Sequence, residues 1–467
     1  MSTTNIPSSR GRGRLLGAVG LATLAGVFAL AGCDFDRVLD VDDPSTAQLE
    51  DIDDPENVPV FRAHAVGETQ VAYAGRGGAQ DNSFILMSGL LSDEYEASGT
   101  FTTRVEVDQR NVQTTNATVQ TTYRLMHRAR LAAIRADRAY EQHEAGAPGQ
   151  AEVQALAGLM MNAFGEMFCS GQPFSELTPD GEFIYGEPLT TQQVFAEAID
   201  WYQMAGNTAA EAGSARMEHL ASLGLARAHL NRGEWDQAAA AASTVPTGFE
   251  YVILHDGATG RQWNGTWNFV NNVARWRIPD AAGGNGLPYR TLGTEATAGG
   301  EIIREGDPRV VWFEDGPAFD NQVTQFSQLR FADREDPTPI ATGVEARLIE
   351  AEVALRQGDE GSFLQIHNDL RAQMNGLEPF SEEDVAELSP QELVDLHFQE
   401  RALWLWQTGH RLGDLRRLIR QYDRTPDDVF PSQEYHKGGA FGSDVNFPIP
   451  VDEENNPNFE ACFDREA

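Results

Sequence analysis

Positive charge is what this 467-residue chain has least of. Its 35 arginines and lysines stand against 71 aspartates and glutamates, a formal charge of −36, and Lys437 is the only lysine. Without a basic face there is nothing to neutralise a row of phosphates, which excludes a nucleic-acid binder. Docking on anionic lipid through a polybasic patch is excluded on the same ground. Cysteine is nearly as rare. Cys33, Cys169 and Cys462 are the three, none in a Cys-x-x-Cys pair or beside a metal-ligand histidine pattern, so neither a zinc nor a redox site is expected. Catalytic signatures are missing as well: no Gly-x-Ser-x-Gly elbow, no His-Glu-x-x-His helix and no Gly-x-x-x-x-Gly-Lys loop. Among 71 acids, adjacent carboxylates such as Asp93 and Glu94 arise by chance and define no glycosidase dyad. The chain reads as a non-enzyme that needs no cofactor and no metal.

What the chain does have is apolar mass. With 41% hydrophobic and 9% aromatic residues it can build a sizeable core, and its length alone would allow about three domains. The N-terminus carries an address. Arg10, Arg12 and Arg14 precede an apolar run over 15–30, too short and glycine-rich for a membrane span, which takes about 20 apolar residues. The run ends in Leu30-Ala31-Gly32-Cys33, which resembles the bacterial lipobox. Residues 1–32 are then a lipoprotein signal peptide, and Cys33 is the residue that takes the lipid. Removing 1–32 takes away three arginines and no acid, so −36 becomes −39. Acyl chains anchor at about 0.8 kcal/mol per buried CH₂, and several together hold firmly. The aspartate-rich stretch 33–56 reads as an extended acidic tether, with a spacing that fits no EF-hand calcium loop. In an oxidising compartment Cys169 and Cys462 either pair or remain two buried thiols. A bridge between them would stabilise by up to about 5 kcal/mol through loop closure.

The body is helical. Spacing of Ala, Leu and aromatic residues predicts helices over 113–144 and 150–168, then 192–212 behind the capping Thr190 and Thr191. Segments 216–231 and 234–243, divided by Gly233 and closed by Pro246, resemble a tetratricopeptide helix pair. A second pair follows over 345–357 and 363–374 around Gly358-Asp359, and a third over 390–407 and 410–422. Residues 247–340 differ: they are rich in Gly, Asn, Asp and aromatics, with strand-like runs at Ile302-Ile303 and Val310-Val311-Trp312-Phe313. So long an insertion on a rigid frame is where binding groups collect. Its tryptophans Trp263, Trp267, Trp276 and Trp312 are the candidate ligand-stacking residues. The fold class is thus mostly α, a tetratricopeptide-like helix-pair scaffold with long loop-rich insertions and a few short strands. It forms a single domain over 57–467, with helical repeats at about 113–246 and 341–422 and the loop-rich region at 247–340.

Motifs then line up in order along the mature chain. They are Leu39-Asp40-Val41-Asp42-Asp43-Pro44, Ser92-Asp93-Glu94, Asp307-Pro308-Arg309, and Glu345 to Arg371 with Gly358-Asp359. Glu400-Arg401 follows, then Gly409-His410-Arg411 with Asp414-Leu415-Arg416-Arg417, and finally Phe447-Pro448-Ile449-Pro450 with Asn456-Pro457-Asn458. Together they resemble the SusD/RagB-like family of nutrient-binding lipoproteins. The resemblance implies a surface lipoprotein of the outer membrane that binds a glycan or peptide and delivers it to a SusC-like TonB-dependent transporter. It implies nothing about which nutrient, because the loops at 95–110 and 247–340, Asp307-Pro308-Arg309 apart, carry no family motif. Glu400, Arg401, Arg411, Asp414, Arg416 and Arg417 are expected to serve the structure through salt bridges. The other readings are a periplasmic helical-repeat interaction scaffold and a lipid-anchored hydrolase.

Replacing Cys33 by Ser is expected to block lipidation and cleavage. Metabolic labelling with a fatty-acid probe checks this: label retained on the Cys33→Ser protein would refute the anchor.

Overall fold

The computed structural model describes residues 52–78, 83–178 and 182–466. Cys33 and the tether up to residue 51 lie outside the described residues. The end of the acidic stretch is not a free tether, since the Ile52 carbonyl lies 2.8 Å from His143 Nε2 and Asp53 accepts from Gln142.

Twelve principal helices carry the frame. Helix α1 (Val58–Thr69) runs into a π-helical turn (Gln70–Ala74), followed by α2 (Phe84–Leu91) and α3 (Thr102–Asp108). Next come α4 (Ala117–His143), α5 (Pro148–Met167), α6 (Thr191–Glu211), α7 (Ala215–Arg232) and α8 (Trp235–Ala242). After the insertion follow α9 (Gly343–Gln357), α10 (Glu360–Arg371), α11 (Pro390–Trp404) and α12 (Arg411–Tyr422). Polar caps set several starts. Asn116 accepts from Thr118 and Val119 N–H, and Thr190 forms a reciprocal capping box with Gln193. The expected repeat relation is visible at two helix ends. Gly233 and Gly358 both take the left-handed conformation (φ 74° and 73°), and each following N–H bonds back to the fifth residue before it. Glycine adopts that conformation without a Cβ penalty.

Consecutive helices pack in a row from α4 to α8, with α1 laid on α4. Tyr202 of α6 fills the seam between α5 and α7, where a Cβ on Gly224 would stand 2.1 Å from its ring. The row does not stop at the insertion. Helix α9 packs on α8 and α7, and Arg347 donates to the carbonyls of Ala242 and Val245 at 2.9 Å. The third expected pair departs from a hairpin: α11 lies on α9, whereas α12 packs against α5 and α2.

The insertion enters and leaves through one ribbon, in which β1 (Glu250–Ile253) pairs antiparallel with the last strand of the region (Thr338–Thr342). Between them lie β2 (Gly293–Ala296), β3 (Ile302–Arg304), β4 (Asp307–Pro317) and β5 (Thr324–Gln328). They form one sheet of order β5-β4-β2-β3, with β4 parallel to β2 and antiparallel to β5. The region expected to be loop-rich therefore has its own small sheet.

Ion pairs tie the layers together. Asp414 of α12 takes two bonds from Arg401 of α11, at 2.9 and 3.0 Å, and one from Arg417 at 2.8 Å. Arg417 also pairs with Glu352 of α9, whose carboxylate receives the Tyr422 hydroxyl at 2.8 Å. Arg411 grips Asp93 at 2.6 and 2.7 Å, and Arg309 and Arg371 converge on Glu400. Arg416 has carbonyl partners instead: Gly165, Glu166 and Phe168. Each of these side chains is nearly or fully buried except Arg371 and Tyr422. Burial would raise the Asp414 carboxyl, but Arg401 and Arg417 outweigh it and hold it at about 2. Glu352 is held well below its usual range by Arg417 and His397, again against burial. Glu94 goes the other way: burial pushes it up to about 8, although it accepts the Gln407 N–H.

Removing one partner of a buried pair strands the other charge at a cost of about 3–5 kcal/mol. Arg401→Ala is expected to lower the unfolding free energy by about that much in urea at pH 7. Arg424→Ala, whose partner Asp395 is mostly exposed, should change it by less than about 1 kcal/mol. The pH profile should slope at both ends. Asp414 contributes about 2 kcal/mol above its unfolded value near 3.8, and this is lost as pH falls through about 2. Glu94 binds its proton more tightly when folded, so stability falls as pH rises from about 4.5 to about 8. Chemical denaturation across pH 5–8 should show that decline, and Glu94→Gln should flatten it.

Candidate functional site

Three segments far apart in the chain are laced together by backbone hydrogen bonds. Glu96-Ala97 pairs antiparallel with Trp276-Arg277, and Ser98 N–H donates to the Arg275 carbonyl at 2.8 Å. The β4–β5 turn closes on both: Phe319 N–H donates to Ala274 and Asp320 N–H to Ser98. Asp320 shapes that turn by accepting from Gln322 and Val323 N–H. Its other oxygen accepts from Lys437 at 2.9 Å, and Lys437 also donates to the Gly99 carbonyl. Burial would raise the Asp320 carboxyl, but the Lys437 bond and the turn N–H groups together outweigh it and hold it below its ordinary value. The only lysine thus clamps two loops of this face.

On this lattice lies a stack of rings and guanidinium groups. The Arg275 guanidinium sits 3.6 Å from the Phe319 ring centre and 4.8 Å from that of Phe101. Arg104 lies on Phe101 at 4.4 Å and reaches the buried Phe269 at 5.4 Å. Phe101 and Phe319 are 45% and 43% exposed, unusual for phenylalanine on so tightly bonded a backbone. Such a platform offers flat apolar faces for stacking, with guanidinium groups beside them.

The predicted tryptophans divide into two groups. Trp263 and Trp267 are half-buried, packed edge to face with centres 6.0 Å apart, and Arg334 lies over Trp263. They share the segment that continues through a π-helical turn (Asn268–Asn272) to Arg275. Trp276 and Trp312 are corrected to core residues. Trp276 is fully buried between Tyr95 and Phe269. Trp312 is buried against Phe326 and donates its indole N–H to the Arg290 carbonyl. Neither presents a free ring face. Glu400, Arg401, Arg411 and Asp414 lie in the buried ion-pair system, and Arg416 is buried among backbone carbonyls. Cys169 and Cys462 are joined as a disulfide. Phe101 and Phe319 escaped the sequence reading; their one signal was a large aromatic beside turn-forming residues, Ser98-Gly99-Thr100 before Phe101 and Asp315-Gly316-Pro317 with Asp320-Asn321 around Phe319.

No family model matches the chain, and no curated protein does. Solved structures do. A SusD superfamily protein from Parabacteroides distasonis matches with a TM-score of 0.62 at 12% identity, over 87% of this chain and 98% of that one. A SusD-like carbohydrate binding protein from Bacteroides fragilis matches at 0.60 and 15% identity, over 88% and 99%. A SusD superfamily protein from Bacteroides vulgatus gives 0.59 and 15%, over 88% and 99%. The chain has the SusD-like fold over most of its length. That is the fold of the family its sequence motifs resemble.

Proposed function

We propose that this protein is a nutrient-binding lipoprotein of the outer-membrane surface, and that it captures a glycan on the Phe101–Arg275–Phe319 platform. The observation that carries the reading is a stack of two exposed phenylalanines around an arginine, held by backbone bonds on a SusD-like fold. Some proteins that share the fold are described as carbohydrate binding. Trp263 and Trp267, half-buried on the segment that leads to Arg275, remain candidate contacts for a longer chain. The ligand is held and released unchanged, then handed to a SusC-like TonB-dependent transporter. Cys33 carries the lipid that keeps the protein at the membrane. Peptide is the second ligand class, favoured only by the guanidinium groups, which would pair with carboxylates.

Titration calorimetry of the detergent-solubilised protein with neutral oligosaccharides tests the reading. Phe101→Ala and Phe319→Ala are each expected to weaken binding about tenfold, which is about 1.4 kcal/mol, with an unchanged melting temperature. Unaltered affinity in both would remove the platform, and binding of peptides alone would replace the glycan.

A further inference from the structure

At the start of α4, a cavity of about 470 Å³ opens between three elements that the proposed function leaves unused. This is within the usual range of small-molecule sites, about 300–1,000 Å³. Its floor is the α4 face bearing Tyr123 and His127. One wall is the hairpin in which Glu176-Leu177 pairs with Phe183-Ile184, and the other is the tail around Glu453 and Asn456.

The hairpin wall is built to present rings. Phe183 and Tyr185 are two residues apart, so both face the cavity while Ile184 faces away. Their centres are 5.1 Å apart, and they are 60% and 45% exposed. The tail fixes their position: Asn456 donates to the Gly186 carbonyl and Asn458 to that of Tyr185. This gives the Asn456-Pro457-Asn458 motif a physical task. The disulfide ties both walls together, because Cys169 precedes the hairpin and Cys462 follows Asn458, and the next residue, Phe463, donates its N–H to the Ser170 carbonyl.

The polar groups indicate the ligand class. His127 packs between Tyr123 and Phe164, and its Nε2 is buried without a partner among the described residues. Burial holds this imidazole well below its ordinary pKa, so it is neutral at physiological pH and suited to a hydroxyl. Arg128 is already paired with Glu68. That leaves Arg124 against Asp452 and Glu453, a balance that attracts neither a phosphate nor a sulfate.

We propose that this cavity is a second saccharide site, in which Phe183 and Tyr185 stack on a neutral sugar ring and His127 and Asn455 bond its hydroxyls. The ligand class rests on the glycan reading above, whereas the location does not. A chain long enough to occupy both sites would be held at two points, raising its effective affinity without new contacts at the platform.

Calorimetry of the detergent-solubilised protein with the same neutral oligosaccharides, from disaccharides to long chains, separates the two sites. In Phe183→Ala/Tyr185→Ala, one binding event is expected to weaken at least tenfold while the platform event persists. The Phe101→Ala/Phe319→Ala protein should show the converse. Reduction of the disulfide should weaken the cavity event and spare the platform event. Ile184→Ala, on the outer face of the same strand, should bind like wild type; an equal loss there would mean that the hairpin fold was disturbed, and would overturn the proposal. Wild-type titrations from Phe183→Ala/Tyr185→Ala would also overturn it, leaving the platform reading intact. Loss of all saccharide binding in that variant alone would sink the platform and leave the cavity standing. A loss confined to peptide or transporter binding would identify the rings as a protein contact and refute the sugar site.

Discussion

Arg401 and Arg417 share the carboxylate of Asp414, and the whole architecture is arranged so that this can happen out of water. From that point the charges run outward. Arg417 reaches Glu352 on α9, and a neighbouring cluster joins Arg309 of the insertion and Arg371 of α10 to Glu400. Arg411, on the same helix as Asp414, closes on Asp93 near the start of the domain. A buried charge without its partner costs several kcal/mol, so no helix here can slide by a turn without stranding one. The ion pairs act as register pins more than as a source of net stability. They also bring together short motifs scattered over the chain: Asp93 pairs with Arg411, Arg309 with Glu400, and Arg401 with Asp414.

This use of charge favours arginine over lysine at the buried pairs. Arginine presents a planar fork of donors that grips a carboxylate at two points, as Arg411 grips Asp93 and Arg401 grips Asp414. It can also spread its donors over several carbonyls, as Arg416 does. An ammonium group is more strongly hydrated and would lose more on burial. The one lysine stands where a point charge suffices, bridging Asp320 and a carbonyl at a partly exposed loop junction.

How much could be read in advance follows from where the information lies. Helices α4 to α12 were legible because periodicity, a cap and a glycine stop are local signals, and their observed ends fall within a few residues of the expected ones. Helix α2 was not, because Phe-Ile-Leu-Met-Ser-Gly-Leu-Leu is buried on every side and so has no polar stripe to reveal its period. The departure of α12 from α11 was also hidden, since nothing in a helix pair states which neighbour each member prefers. The site was the least legible part. Composition marked the insertion as aromatic, but whether a given ring is core or surface is set by register, which buries Trp312 opposite Gln328 and leaves Phe319 at the turn beyond. Phe101 and Phe319 become one surface only after the loops have closed on each other.

The same acidity bears on what such a surface can hold. A strongly negative protein repels polyanions at long range and gains nothing electrostatic from a neutral ligand. Affinity must then come at contact distance, from stacking on rings and from hydrogen bonds whose desolvation is already met. Contact of that kind demands that the rings be held still, because ordering a mobile aromatic loop on binding would cost what stacking returns. The structure meets this demand at the platform with interlocked backbone bonds and a lysine clamp, and at the tail with paired asparagines and a disulfide. Under the proposed function, rigid aromatic faces in an anionic field would favour uncharged, flat-faced, hydroxyl-rich ligands, and that preference would belong to the whole molecule rather than to any one residue.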